Sequence, residues 1–210
     1  MFYGFARTVL FVVSKVLFRV RISGTEHVPK TGVFIVAPSH RSYFDTVFAS
    51  FITRRRIRFM AKEELFKNRF GSRFFLALGA ISVTRGSASA RRATKAVQVA
   101  LESGEPAAVY PEGTRRHGGE IGNLFDGTAY LAVKLGCPIV PVGIGGSEEI
   151  LASGKKLPRL HRVSVKVGAP ILPPPDSSTR RRSDLVGISD ELKSSLQTLF
   201  DAARLEAGCR

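Results

Sequence analysis

The chain has 210 residues, 44% of them hydrophobic, which predicts one folded domain that can bury a full core. Its net charge of +15 predicts an anionic partner: nucleic acid, an anionic lipid surface or a phosphorylated substrate. Two cysteines exclude a disulfide framework, so we expect reduced thiols and interpret Cys137 as a small buried side chain rather than a nucleophile.

Residues 1–22 are rich in Phe, Val and Leu, but basic residues interrupt them. A membrane-spanning helix needs about 20 apolar residues, and no small-residue cleavage site follows, so neither a spanning helix nor a signal peptide is expected. The pattern predicts an amphipathic helix at a membrane interface, the alternative being a helix packed on its own domain. Its apolar stripe comprises Phe2, Phe5, Val9, Val12, Val13, Val16, Leu17 and Val20.

Strand and helix patterns alternate through the middle of the chain. The predicted strands are residues 33–37, 57–61, 80–84, 106–110, 139–144 and 163–167. The predicted helices are residues 45–53, 63–66, 69–78, 88–101 and 128–135. This alternation predicts an α/β domain over residues 23–172, with a largely parallel or mixed central sheet flanked by helices.

Two further segments follow the predicted domain. Residues 173–183 are rich in Pro and Arg and are typical of a surface linker. Residues 184–210 predict an amphipathic C-terminal helix packed on the domain. Its apolar positions are Leu185, Ile188, Leu192, Leu196, Leu199 and Phe200.

A histidine and an aspartate, His40 and Asp45, follow the first predicted strand of the domain. Such a pair suits acyl transfer, because the imidazole takes a proton from an alcohol while the carboxylate orients the ring. The spacing alone is weak evidence, but residues 110–116, which include Glu112, also follow a predicted strand. Loops at the carboxyl ends of parallel strands converge, so we expect the His40, Arg85 and Glu112 loops to share one crevice.

Four blocks of this sequence resemble the glycerophospholipid acyltransferase family, specifically its 1-acyl-glycerol-3-phosphate (lysophosphatidate) acyltransferase branch. The blocks are residues 40–45, 79–85, 110–115 and 139–142, and the resemblance covers about residues 20–170. The first and third blocks are specific in combination, whereas the other two are weak alone. The chain departs from the family at Ser39, where many members carry Asn, and at Tyr110, where Phe is usual.

The resemblance implies transfer of a fatty acyl group from acyl-CoA or acyl-carrier protein to the free hydroxyl of 1-acylglycerol 3-phosphate, giving phosphatidic acid. His40 would be the general base and Asp45 its orienting partner, without an acyl-enzyme. The reduced thiols and the basic amphipathic first helix predict a location at the cytoplasmic face of a membrane with anionic lipids, where the protein would be peripheral or monotopic.

The acceptor phosphate requires cations, and the motifs supply Arg85 and Arg115. Glu112 either accepts a hydrogen bond from a glycerol hydroxyl or fixes Arg115 and its loop, and we favour this positioning role. Gly113 permits a tight turn, and Thr114 belongs to the same positioning loop.

Several alternatives stay open at this point. The acceptor could instead be glycerol 3-phosphate or a glycolipid, and water could replace it, although no Gly-x-Ser-x-Gly elbow is present. A basic nucleic-acid-binding module is a distant alternative without a recognisable motif. We expect no metal and no cofactor, because no metal-ligand spacing occurs. Apolar residues at Phe66, Phe70, Phe74, Phe75 and Leu76 could line an acyl groove, but a core role is favoured.

Overall fold

The computed structural model describes residues 2–83, 87–150, 159–174 and 182–209. The strands are β1 (Arg21–Ser23), β2 (Ile35–Pro38), β3 (Arg58–Lys62), β4 (Ala80–Val83), β5 (Ala107–Ala108), β6 (Ile139–Gly145) and β7 (Ser164–Val167). The α-helices are α1 (Phe2–Phe18), α2 (Asp45–Ala49), α3 (Arg69–Ala77), α4 (Ser87–Glu102), α5 (Gly127–Leu135), α6 (Ser147–Ile150) and α7 (Arg182–Ala207). Short 3₁₀ turns occupy Thr25–His27, Ser50–Ile52 and Glu63–Phe66.

The seven strands form one sheet in the order β1-β7-β6-β2-β5-β3-β4. Neighbouring strands are parallel except for β6 and β7, which are antiparallel. The predicted α/β fold with helices around a central sheet is therefore confirmed, and the sheet is mixed. Central strand β2 is buried on both faces, which explains why its sequence is a continuous apolar run.

The first helix is shorter than predicted, because a strand follows it within the segment assigned to the helix. Arg19 has a left-handed backbone conformation (φ 46°) just after α1 ends. This conformation turns the chain so that Val20 is buried and Arg21–Ser23 pairs with β7. A three-residue edge strand carries too little alternation to be predicted from sequence.

Two apolar clusters cover the two faces of the sheet. Alternate residues of β2 supply both clusters, with Val36 in one and Ile35 in the other, as the two-residue period of a strand requires. The Val36 cluster includes Phe18 at the end of α1 and Phe48 of α2. The opposite cluster is formed with α4, α5 and α7.

Helix α7 lies directly against β6. A Cβ atom built on Gly143 would lie 2.3 Å from the backbone carbon of Leu199, and one on Gly145 would lie equally close to Ala203. The two glycines thus let a helix backbone approach the strand more closely than any side chain would permit.

Helix α1 attaches to the domain through apolar contacts of Phe11 and Phe18 and through polar contacts, and it exposes its predicted apolar stripe. The Arg7 guanidinium donates to the carbonyl oxygens of Ser50 (3.1 Å) and Phe51 (2.9 Å), and the Tyr3 hydroxyl donates to that of Arg55. The stripe predicted from sequence is exposed from Phe2 through Leu17, whereas Val20 is buried beyond the helix end. Apart from Phe2, which contacts Phe74 of α3, the stripe on α1 therefore does not pack on its own domain.

Helix α3 also exposes apolar side chains, so the favoured core role of its aromatic residues is wrong. Phe70 is 83% exposed, and Phe74 and Leu76 are also exposed. Phe74 contacts Phe2 of α1 edge to face, with ring centroids 6.4 Å apart, which joins the two apolar surfaces. Among the described residues, no helix combines the length and apolarity that crossing a membrane requires.

Candidate active site

The predicted site residues lie at the edge of the sheet where β2 and β5 end. His40 comes two residues after β2, and the loop from Val109 to Asp126 connects β5 to α5. The parallel pairing of β2 with β5 brings the His40 and Glu112 loops together, because their carboxyl ends meet at one edge. Arg85 lies outside the described residues, just after β4, and its role stays a prediction.

His40 and Asp45 form the hydrogen-bonded pair that acid–base chemistry needs. His40 Nδ1 lies 3.1 Å from Asp45 Oδ2, which also accepts the backbone N–H groups of Arg41 (2.6 Å) and Ser42 (2.7 Å). Asp45 is buried, and these backbone donors stabilise its carboxylate without solvent. If Nδ1 carries the proton donated to Asp45, Nε2 is the free acceptor nitrogen.

Glu112 is buried beneath the His40 loop in an ion pair with Arg41. Arg41 Nη1 lies 2.8 Å and 3.0 Å from the two carboxylate oxygens. Glu112 also accepts the backbone N–H groups of His40 and Gly122, both at 3.1 Å. Its positioning role is thus supported by geometry, but the predicted partner Arg115 is wrong.

Arg41 is a residue that sequence reasoning missed. Its guanidinium also donates to the backbone oxygens of His40, Gly118 and Glu120, and it lies over the ring of Phe200, 4.5 Å from the centroid. One buried side chain therefore connects the histidine loop, the glutamate loop and α7. The available signal was an arginine beside His40 together with a glutamate in another block that needed a cationic partner.

Two small residues shape the loops around this pair. Ser39 Oγ accepts the backbone N–H of Ile144 at 3.0 Å, so the serine found where many family members carry Asn holds the loop against β6. Gly113 has φ +67°, and a Cβ atom there would lie 2.6 Å from the Phe125 ring. The predicted need for glycine in this turn has a steric basis, while Thr114 is exposed beside it.

The Arg115 guanidinium lies over the exposed ring of Tyr43. Its guanidinium carbon is 3.5 Å from the ring centroid, and Nη2 donates to the Tyr43 hydroxyl at 2.7 Å. The next residue, Arg116, donates its backbone N–H to the carbonyl oxygen of His40 at 2.9 Å. The loop thus keeps the Arg115 cation close to the His40 loop and accessible to solvent.

Tyr110 forms one wall of the histidine site. Its ring stacks on the His40 imidazole, with centroids 3.9 Å apart and planes 28° apart, and its hydroxyl lies 2.8 Å from Thr46 Oγ1. Burial and the neighbouring Asp45 carboxylate both raise the pKa of the Tyr110 phenol. Tyr110 is therefore neutral at physiological pH.

An apolar cavity of about 440 Å³ opens beside His40. Its wall is mainly aliphatic and includes Met60, Val83, Val97, Val109 and Leu131. Its size and lining suit a hydrocarbon chain with its polar end at His40.

Other potentially reactive groups do not join this arrangement. Cys137 is buried, and burial raises the pKa of its thiol to about 11, as expected for an unreactive side chain. His117 is paired instead with Glu148 at 2.7 Å. No group of three or more His, Cys, Asp or Glu side chains suited to a metal occurs within the described part of the chain.

Comparisons with known proteins agree with the sequence blocks. The family model described as acyltransferase matches residues 19–145. The chain is 27% identical over 190 residues to 1-acyl-sn-glycerol-3-phosphate acyltransferase alpha of Bos taurus, covering 87% of this chain but only 63% of that relative. It is 26% identical over 170 residues to 1-acyl-sn-glycerol-3-phosphate acyltransferase of Bacillus subtilis, covering 80% of this chain and 82% of the relative.

A solved structure shares the fold. It is the crystal structure of the 1-acyl-sn-glycerophosphate (LPA) acyltransferase, PlsC, from Thermotoga maritima, with a TM-score of 0.68 and 26% sequence identity. The similarity covers 92% of this chain and 81% of that chain. The shared fold therefore extends over most of this chain.

Proposed function

The chain belongs to the acyltransferase family, and from this premise we propose that it acylates the free hydroxyl of 1-acylglycerol 3-phosphate to give phosphatidic acid. The observation that carries the proposal is the His40–Asp45 pair beside an apolar cavity. The substrate named for the bovine and Bacillus subtilis relatives supports this acceptor.

The proposed reaction is direct transfer between two bound substrates. The acceptor hydroxyl oxygen attacks the thioester carbonyl carbon while His40 Nε2 takes the hydroxyl proton. The carbon–sulfur bond then breaks, and the imidazolium returns the proton to the departing thiolate. Asp45 orients the ring and stabilises the imidazolium, as the aspartate of a serine triad does, while the substrate alcohol replaces the serine.

The acceptor phosphate is proposed to bind Arg115, with Arg85 as a second cation. The planar Arg115 guanidinium can donate two parallel hydrogen bonds to phosphate oxygens. Its stacking on Tyr43 supports this assignment, because the cation is held near the His40 loop and accessible to solvent.

The donor is proposed to be acyl-CoA or acyl-carrier protein, with its chain in the apolar cavity. Burying the hydrocarbon there is favourable by about 0.8 kcal/mol per CH₂ group. With the chain in the cavity, the thioester would lie at the His40 end.

We place the protein at the cytoplasmic face of an anionic membrane, as a peripheral or monotopic protein. The exposed stripe of α1 supports this, because an exposed apolar helix face is stabilised by insertion among lipid headgroups. The net charge of +15 adds attraction to anionic lipids. Phe18 of α1 also packs on Phe44, which precedes Asp45, so insertion would bring the site close to its lipid acceptor.

The test is a coupled assay of thiol release and lipid product, using acyl-CoA and lysophosphatidate. Replacing His40 with Ala should lower turnover about 10²–10⁴-fold, because a general base contributes that much. The matched control is His161→Ala, which removes an imidazole that lies outside both active-site loops and contacts the carbonyl oxygen of Arg162. Near-normal turnover by His40→Ala would refute the mechanism, thiol release without lipid product would indicate hydrolysis, and better activity with glycerol 3-phosphate or a glycolipid would identify another acceptor.

A further inference from the structure

We propose that Tyr110 and Thr46 form a positioning pair that holds the His40 imidazole at the angle needed for catalysis. This inference rests on the proposed function, and neither residue is assigned a reacting role. It arises from the Tyr110 ring, which stacks on the imidazole and whose hydroxyl lies within hydrogen-bond distance of Thr46.

The imidazole of His40 is constrained by two contacts, one at its edge and one at its face. Asp45 fixes the Nδ1 edge by a 3.1 Å hydrogen bond, which still allows the ring to tilt about that bond. The Tyr110 ring covers one face of the imidazole at a centroid distance of 3.9 Å and limits that tilt. The angle of the Tyr110 ring therefore sets the direction in which Nε2 points.

Thr46 controls the angle of the Tyr110 ring. Its Oγ1 lies 2.8 Å from the phenolic oxygen, and no other side-chain hydrogen bond of that phenol occurs among the described residues. Thr46 also follows Asp45 directly in α2, so the helix that supplies the carboxylate supplies the phenol partner as well. Both contacts to the imidazole therefore depend on α2, which carries Asp45 and Thr46.

A phenylalanine at position 110 would retain the stacking and need no threonine partner. A tyrosine requires that partner, because a partly buried hydroxyl left without a hydrogen bond is destabilising. The pair therefore has a signature that simple packing lacks: loss of Thr46 alone is worse than loss of both hydroxyl groups.

Three variants test this signature in the acyl-CoA and lysophosphatidate assay. Thr46→Val should lower kcat about tenfold with little change in KM, because the unpaired phenol rotates and the imidazole tilts. Tyr110→Phe should lower kcat by about threefold or less. The double variant should recover most of the kcat that Thr46→Val loses. Matched controls are Tyr130→Phe on α5 and Thr198→Val on α7, which make the same exchanges away from the site.

A second measurement does not depend on activity. The stacked phenol ring shifts the NMR signal of the His40 ring protons, and His40→Ala identifies that signal among the four histidines. Thr46→Val should move the signal toward an unstacked position, and the double variant should restore it. An unchanged signal in Thr46→Val, or a double variant no better than Thr46→Val, would overturn the pair. Wild type lacking acyl transfer but showing the NMR pattern would refute the proposed function and leave the pair supported.

Discussion

A single nitrogen of Arg41 donates to both carboxylate oxygens of Glu112, 71 residues away in sequence. Both side chains are buried, so each supplies the counter-charge that the other would otherwise lack. The geometry makes this pair the internal support of the His40 loop.

Removing one member of this pair should destabilise the fold. Glu112→Gln leaves the Arg41 guanidinium buried without a counter-charge, and we expect a loss of about 3–5 kcal/mol in the free energy of unfolding. Urea denaturation followed by circular dichroism measures it. Glu191→Gln, the same exchange at an exposed position on α7, should change the unfolding free energy by less than about 0.5 kcal/mol. Equal effects of the two substitutions would contradict the supporting role.

Arg115 should act on acceptor binding more than on chemistry. Arg115→Ala is expected to raise KM for lysophosphatidate about tenfold, because a charge-assisted bond to phosphate is lost. Monoacylglycerol, which lacks phosphate, should respond little to the same substitution. Tyr43→Ala should shift KM in the same direction, since it removes the ring under the guanidinium. A fall in kcat alone would argue against phosphate binding.

Acid should weaken the edge of the sheet through Glu206. Hydrogen bonds from Lys166 and Ser164 lower the pKa of this carboxyl from 4.5 to about 2. The stabilisation that the ionised Glu206 carboxylate gives the folded state is therefore complete above pH 4.5, and it is lost as the pH falls toward 2. We expect a contribution of about 1–3 kcal/mol. As the pH is lowered from 6 to 2, the urea midpoint should fall less steeply for Glu206→Gln than for the wild type. Identical slopes for the two proteins would exclude Glu206 as a source of acid sensitivity.

The apolar stripe of α1 should be needed for membrane binding. Phe5→Ser with Val16→Ser removes two side chains that are 69% and 72% exposed, so sedimentation with anionic vesicles should drop several-fold. Leu205→Ser is the control, because Leu205 is an even more exposed apolar residue (82%) on α7. Loss of binding in the control as well would indicate a general surface effect rather than a docking face.

The sequence predicted local features and the meeting of the His40 and Glu112 loops, but it missed the side-chain contact that joins those two loops. His40 and Asp45 are five residues apart, so one turn places them together. The Arg41–Glu112 contact depends on two strands pairing in register, and no spacing rule contains that information. The continuous apolar run of β2 was recognisable, whereas β1 became a strand only because Arg19 turns the chain against β7.

The contact between Arg41 and the Phe200 ring has a consequence for protein synthesis. Helix α7 follows every other described element of the site in chain order, yet its Phe200 ring supports the arginine that joins the two active-site loops. A ribosome must therefore release α7 before the histidine loop reaches its final arrangement. Until then a nascent chain can already expose the stripe of α1, so attraction to a membrane would precede the ability to react.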